Sequence, residues 1–200
     1  MKIICYGDSN TYGYDPNGVL ELRYPEDVRW VDAVKRYFGD EVDILDDVVN
    51  LGQNGREVPD NGWESAAGVA AQLGKISAEG DIITVMLGGN DVLLSDLGAD
   101  AVCGKMERFL QEILGQCPKR KIVLIAPIEM KEGYWVPDGH YIEESVKLTE
   151  MYRGLARELE IDFLDPNQWQ VDVTEDGVHF TAEGCRNFAQ GMVEYLEKIL

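Results

Sequence analysis

Several kinds of chemistry have little to work with in this sequence. It holds only two histidines, His140 and His179, which stand isolated from each other and from the cysteines, so no metal-ligand spacing is present. Its four cysteines, Cys5, Cys103, Cys117 and Cys185, are far apart and form no CxxC pair. A chain long enough to bury a core needs no disulfide framework, and these cysteines read as reduced core thiols. Basic residues are scarce, 18 Lys and Arg against 37 Asp and Glu, for a formal net charge of −19. Such a surface repels phosphate backbones and anionic bilayers, which argues against nucleic-acid and membrane partners and reads as a solvated exterior. No apolar run approaches membrane-spanning length, and the opening stretch meets Gly7 and Asp8 too soon for a signal peptide, so the cytoplasm is the expected compartment. Linkers, repeats and low-complexity tracts are also missing, and residues 1–200 read as one domain.

What is present is an alternation of strand and helix patterns. Ile3 to Tyr6, Val42 to Val49, Ile82 to Leu87, Ile122 to Ala126 and Ile161 to Leu164 read as five strands. Helical spacing is clearest in Val102, Met106, Phe109, Leu110, Ile113, Leu114 and Cys117. It recurs in Val31, Val34 and Phe38, in Leu148, Met151, Leu155 and Leu159, and in Phe188, Met192, Leu196 and Ile199. This order predicts a three-layer α/β/α sandwich around a five-stranded parallel sheet, because parallel strands need crossover connections that cover both faces. Ligands in such folds bind beyond the carboxyl ends of the strands. The longest irregular stretch, Pro127 to Gly139, is expected to be a lid or a pocket wall.

Four segments at those strand ends carry chemistry. Gly7-Asp8-Ser9-Asn10-Thr11 follows the first strand and presents a hydroxyl at a sharp turn; alone, it fits an ordinary turn serine as well as a nucleophile. Asn50-Leu51-Gly52-Gln53-Asn54-Gly55 follows the second strand as a glycine-rich loop whose N–H groups are free to face a cleft. Leu87-Gly88-Gly89-Asn90-Asp91 follows the third and places a side-chain amide where it can donate to an oxyanion. Asp176-Gly177-Val178-His179 precedes the last helix and supplies a carboxylate and an imidazole three residues apart. A serine nucleophile needs a base within hydrogen-bond reach and a partner that fixes the base's tautomer; Ser9, His179 and Asp176 meet that need in kind.

Together, in this order, the four blocks resemble the SGNH (GDSL) hydrolase superfamily, with its Ser in GDS, its Gly, its Asn in GxND and its His in DxxH. The likeness spans essentially the whole chain and implies a flavodoxin-like fold, Ser9 as nucleophile, His179 as general base and then acid, and Asp176 as its orienting carboxylate. It implies an oxyanion hole from the backbone N–H of Ser9, the backbone N–H of Gly55 and the Asn90 amide, with Gly52 the alternative glycine. Asn10 stands where the best-known motif has Leu; it leaves the nucleophile untouched, makes "lipase" a poor guide to substrate, and is expected to support the loop. The stretch from Arg23 to Trp30 is similar to one in a subgroup of arylesterases and acyltransferases, which points to small esters.

The leading reading is thus a serine esterase acting on short-chain carboxylic esters, acetylated carbohydrates or aryl esters among them, through an acyl-Ser9 intermediate, with no cofactor and with homo-oligomer formation left open. Acyl transfer and thioester cleavage use the same groups. A flavodoxin-like flavin- or nucleotide-binding module is the alternative from another class, but it leaves the Asp176 to His179 segment without a task. A catalytically silent scaffold is attractive only when a triad member is missing. Tyr12, Tyr14, Trp63, Tyr134 and Trp135 are candidates for pocket walls or for plain packing, and His140 reads as a solvent-facing residue at a helix start.

Overall fold

The computed structural model describes residues 1–18, 22–41, 47–61 and 64–200. Strands β1 (Lys2–Gly7), β2 (Asp47–Gly52), β3 (Ile82–Met86), β4 (Lys121–Ile125) and β5 (Asp162–Leu164) form one sheet in the order β2-β1-β3-β4-β5. Every neighbouring pair is parallel, as the strand and helix alternation predicts. The chain moves outward from β1 to β2 and then returns across β1 to β3. The switch point, where helices leave adjacent strands toward opposite faces and a crevice opens, therefore lies between the ends of β1 and β3.

Successive side chains of each strand point to opposite faces, and both faces are covered. Ile3 and Cys5 of β1 pack with Val31, Val34 and Phe38 of α2 (Trp30–Glu41) and with Phe188, Met192 and Leu196 of α7 (Ala182–Ile199). Ile4 and Tyr6 pack on the other side, within the core built by α3 (Ala66–Ile76), α5 (Ala99–Gln116) and α6 (Gly139–Glu158). Burial on both faces is why the strands read as unbroken apolar runs. Truncating a large core side chain to Ala costs about 3–5 kcal/mol, a large share of a net stability of roughly 5–15 kcal/mol. Two short helices, α1 (Ser9–Tyr12) and α4 (Gly89–Leu93), start at the ends of β1 and β3, on either side of the switch point.

The structure adds detail to the sequence reading at three places. The second strand runs from Asp47 to Gly52, past the expected end at Val49, while Val42 to Leu45 lie outside the described residues. Pairing with β1 continues to Gly7 opposite Gly52, so Asn50 and Gly52 belong to the strand rather than to the loop after it. Helix α3 carries an i, i+3, i+4, i+7 stripe of Ala66, Val69, Ala70 and Leu73, capped by Ser65, which small side chains made faint in the sequence. The Pro127 to Gly139 segment is a wall: Lys131 N donates to Gly177 O (2.9 Å), Tyr134 N to Glu175 O and Trp135 N to Asp176 O (both 3.2 Å).

All four cysteines are free, Cys103 being partly exposed and the other three buried. Burial pushes the Cys5 and Cys185 thiols up to about 12, which keeps them protonated and inert. Among the described residues no helix is long and apolar enough to cross a membrane.

Candidate active site

Ser9 is the first residue of a one-turn helix, and such a helix cannot satisfy its own last carbonyls. Each of those carbonyls has a partner. Ser9 O accepts from Gly13 N and Tyr14 N (both 2.9 Å). Asn10 O accepts from Trp30 Nε1, Thr11 O from Asn50 Nδ2 and Tyr12 O from Arg23 Nε, each at 2.9 Å. At the other end Asp8 caps the helix, its carboxylate accepting from Asn10 N at 3.0 Å. Desolvation pushes the buried Asp8 carboxyl up to about 6, although the Asn10 N–H and the nearby His179 pull it down. Just before it, Gly7 O accepts from Arg56 Nη1 (2.9 Å) and Gln53 N (3.1 Å).

The histidine arrives on a tight loop between β5 and α7. Thr174 N donates to His179 O (2.7 Å), Gly177 N to Thr174 O (3.0 Å) and Thr181 N to Asp172 O (2.9 Å), and Thr181 then caps α7 through Gly184 N. Gly177 turns the loop at φ +87°, and a Cβ there would lie 2.2 Å from Lys131 O, so only glycine fits. Asp176 is fully buried, with Oδ1 accepting from Val178 N and His179 N (both 2.9 Å) and Oδ2 facing His179 Nδ1 at 2.6 Å. Burial alone would raise the Asp176 carboxyl; the ring and backbone N–H donors outweigh it and hold the group at about 2. An ionised Asp176 calls for a proton on Nδ1, leaving the Nε2 lone pair toward Ser9 Oγ at 2.9 Å. Tyr14 lies against the imidazole face at 4.6 Å between centroids, and Trp135 meets it edge-on at 5.7 Å.

Across the switch point, Asn90 Nδ2 donates to Arg56 O at 2.9 Å, which spends one of its two N–H groups and fixes the amide. The next residue, Asp91, is fully buried and accepts from Val58 N (2.9 Å) and from Lys105 Nζ. These bonds attach the loop after β2 to α4. At the end of β2, Gly52 N is already committed to Asn50 Oδ1 (2.9 Å), and a Cβ on Gly52 would lie 2.0 Å from Tyr12 N. Gly52 is therefore a packing glycine that lets α1 sit on β2. Gly55 occupies the exposed turn beside Arg56, with nothing within 4 Å of where its Cβ would be.

Ser9, Asn90 and His179 line one cleft, together with Asp8, Asn10, Gly89, Leu93, Pro127, Ile128, Met130, Trp135 and Val178. Its volume is about 30 Å³. Asp176 lies behind His179, and Gly55 is not among the lining residues. Of the aromatic candidates Tyr14 and Trp135 touch the imidazole, Tyr12 is covered by Arg23 at 4.1 Å, Tyr134 is exposed, and Trp63 lies outside the described residues. His140 is exposed in the first turn of α6. No cluster of His, Cys, Asp and Glu suited to a metal ion occurs among the described residues.

Sequence reasoning missed the residues that brace this site. The Arg23 to Trp30 stretch supplies two of the carbonyl caps on α1, and Tyr24 Oη donates to Phe180 O at 3.1 Å, next to His179. Arg56 holds Gly7 O and Leu51 O with its guanidinium, which lies 4.3 Å over the Tyr6 ring. The likeness of the Arg23 to Trp30 stretch to other esterases was a visible signal, but its physical task was not.

The chain belongs to the GDSL-like lipase/acylhydrolase family, whose model matches residues 5–186, and it is a carboxylic ester hydrolase. Its fold is similar to that of a carbohydrate acetylesterase family member from Sinorhizobium meliloti, at 26% identity and a TM-score of 0.80, covering 100% of this chain and 98% of that one. Est24, a carbohydrate acetylesterase from Sinorhizobium meliloti, is similar at 20% identity and a TM-score of 0.83, and the aryl esterase of M. smegmatis at 21% and 0.82; each alignment covers 100% of this chain and 99% of the other. No curated protein matches the chain in sequence.

Proposed function

We propose that this protein cleaves acetyl and other very short acyl esters through a covalent acyl-Ser9 intermediate, and the observation that carries the reading is the chain Ser9 Oγ, His179 Nε2, His179 Nδ1, Asp176 Oδ2 at 2.9 and 2.6 Å. Ser9 Oγ attacks the ester carbonyl while its proton passes to Nε2; the imidazolium, stabilised by the ionised Asp176, then protonates the departing alcohol. Water repeats the sequence on the acyl-enzyme, with His179 again taking the proton. The free N–H of Asn90, the backbone N–H of Ser9 and the backbone N–H of Gly55 are the proposed donors to the oxyanion.

Cleft size favours a short acyl group. On the same measure a single water needs about 10–15 Å³, so a cleft of about 30 Å³ is small and suits a short acyl group better than a long one. Leu93, Pro127, Ile128 and Met130 give the cleft an apolar part of its lining, as a methyl group prefers. Trp135 lines the cleft and is partly exposed, and its neighbour Tyr134 is exposed, so flat aryl or sugar alcohols have an aromatic ring to stack on there. Two relatives of similar fold are described as carbohydrate acetylesterases, which agrees with an acetylated carbohydrate as substrate. The competing view of the first loop as a phosphate cradle fits less well, because the Asp8 carboxyl lines the same cleft.

A chain-length series of p-nitrophenyl esters tests the reading. Wild type should be fastest on acetate and fall steeply by butyrate, with Ser9→Ala lower by several orders of magnitude throughout. Equal rates with and without the Ser9 hydroxyl would refute the acyl-Ser9 route, and a preference for long chains would refute the short pocket.

A further inference from the structure

The residue beside the serine makes a contact that neither half of the Ser9 and His179 pair can make alone. Asn10 Nδ2 donates to Val178 O at 3.0 Å, and its Oδ1 accepts from Phe180 N at 2.9 Å. Val178 and Phe180 are the residues on either side of His179. One primary amide thus grips both flanks of the imidazole's backbone while its own residue adjoins the nucleophile. Its main chain is fixed as well: Asn10 N donates to Asp8 Oδ1 at 3.0 Å, and Asn10 O accepts from Trp30 Nε1 at 2.9 Å. All four polar groups of Asn10 are therefore occupied.

We infer that Asn10 is a positioning residue that sets the distance between Ser9 Oγ and His179 Nε2 by clamping the backbone on both sides of the imidazole. The inference rests on the esterase reading above, since it concerns how that nucleophile and base are held together. A short side-chain amide offers a donor and an acceptor side by side, which matches a carbonyl and an N–H one residue apart on each side of His179. Leucine offers neither group, and aspartate would turn a second acceptor toward Val178 O. The orientation of His179 against Asp176 is separate, because those residues share one loop and are three apart in sequence. The loop also has bonds of its own from Thr174 N and Tyr24 Oη, so losing the clamp leaves it folded but free to shift relative to Ser9. Displacements near 1 Å at reacting atoms can cost about 100-fold in rate.

The test compares Asn10→Leu, Asn10→Asp and Ser9→Ala with wild type. Each is assayed for kcat and KM on p-nitrophenyl acetate, for the pH dependence of kcat/KM and for melting temperature, and those that keep Ser9 also for its rate of labelling by a fluorophosphonate. For Asn10→Leu, kcat and the labelling rate should fall together by about 10- to 100-fold, with KM and the acid limb of the pH profile unmoved. Asn10→Asp keeps the acceptor for Phe180 N, so its loss should be smaller, and its added carboxylate should move the acid limb to higher pH. An Asn10→Leu protein within twofold of wild type in both rates overturns the inference, as does one whose only change is a lower melting temperature. If Ser9→Ala keeps wild-type turnover, the nucleophile assignment itself has failed; if Ser9→Ala is silent while Asn10→Leu is wild type, only the positioning role has.

Discussion

Ser9 and His179 are each 6% exposed, and the turn and loop that carry them are tied down by side chains and backbone groups from β2, from the Arg23 to Trp30 stretch and from each other. The proposed oxyanion side has a different construction. Asn90 is fixed by a single bond to Arg56 O, and Gly55 sits in an exposed turn with open space around it. Where a proton must pass along an oriented chain, small angular errors are costly, and the fold spends many long-range bonds there. Where charge develops on an oxygen, a few well-aimed donors serve, and these can lie on a loop whose tip is exposed while its flanks are held by Gln53 N and Arg56 on Gly7 O and by Val58 N on Asp91.

The largest expected effect that sharpens this contrast comes from the one fixed donor. Asn90→Ala should lower kcat by about 100- to 1,000-fold with little change in KM; a near-wild-type rate would remove Asn90 from the oxyanion site. Next, the glycine that ends β2 and the glycine of the loop after it should part company. Gly52→Ala should lower stability and activity together, because its Cβ would meet Tyr12 N at 2.0 Å and lift α1 from β2. Gly55→Ala keeps its N–H and meets no neighbour, so only the strain of φ +72° remains, about 1–2 kcal/mol. Thermal melts with activity assays on both variants would show the difference, and equal losses would erase it.

A further effect concerns the turn that carries Ser9. Asp8 titrates at about 6 when folded, above its ordinary 3.8, so the folded state holds more protons between those values and stability falls as pH rises through that window. Asp8→Asn keeps an acceptor for the Asn10 N–H and removes the buried charge. It should be more stable than wild type above pH 6, by about 3 kcal/mol at most, with the advantage gone below pH 4. Asp176 behaves oppositely. Its folded value of about 2 lies below 3.8, so its contribution is complete above about pH 4 and is lost as pH falls toward 2. Melting temperatures across pH 3 to 8 for wild type and Asp8→Asn check both signs.

Much of this molecule is legible in the sequence because the relevant signals are local. The continuous apolar runs of β1 and β3, the helical stripe from Val102 to Ile113, and the Asp176 to His179 spacing each lie within one element or turn. The partners of the braces were not legible, even for Asn10, whose support of the loop was expected, because each brace joins positions far apart. Asn10 meets Val178 across 168 residues, and Arg56 meets Gly7 across 49. The end of β2 was misjudged for the same reason: Asn50 and Gly52 look like loop residues until α1 is seen packed on them. Polar and small residues inside a buried framework take their meaning from partners that no local pattern reveals.

The most direct test of the account is fluorophosphonate labelling followed by peptide mass mapping of wild type and His179→Ala. One adduct per chain, on the peptide containing Ser9 in wild type and slowed by orders of magnitude in His179→Ala, is the predicted result. An adduct on another residue, or labelling of His179→Ala at the wild-type rate, would contradict the assignment of Ser9 and His179 as nucleophile and base.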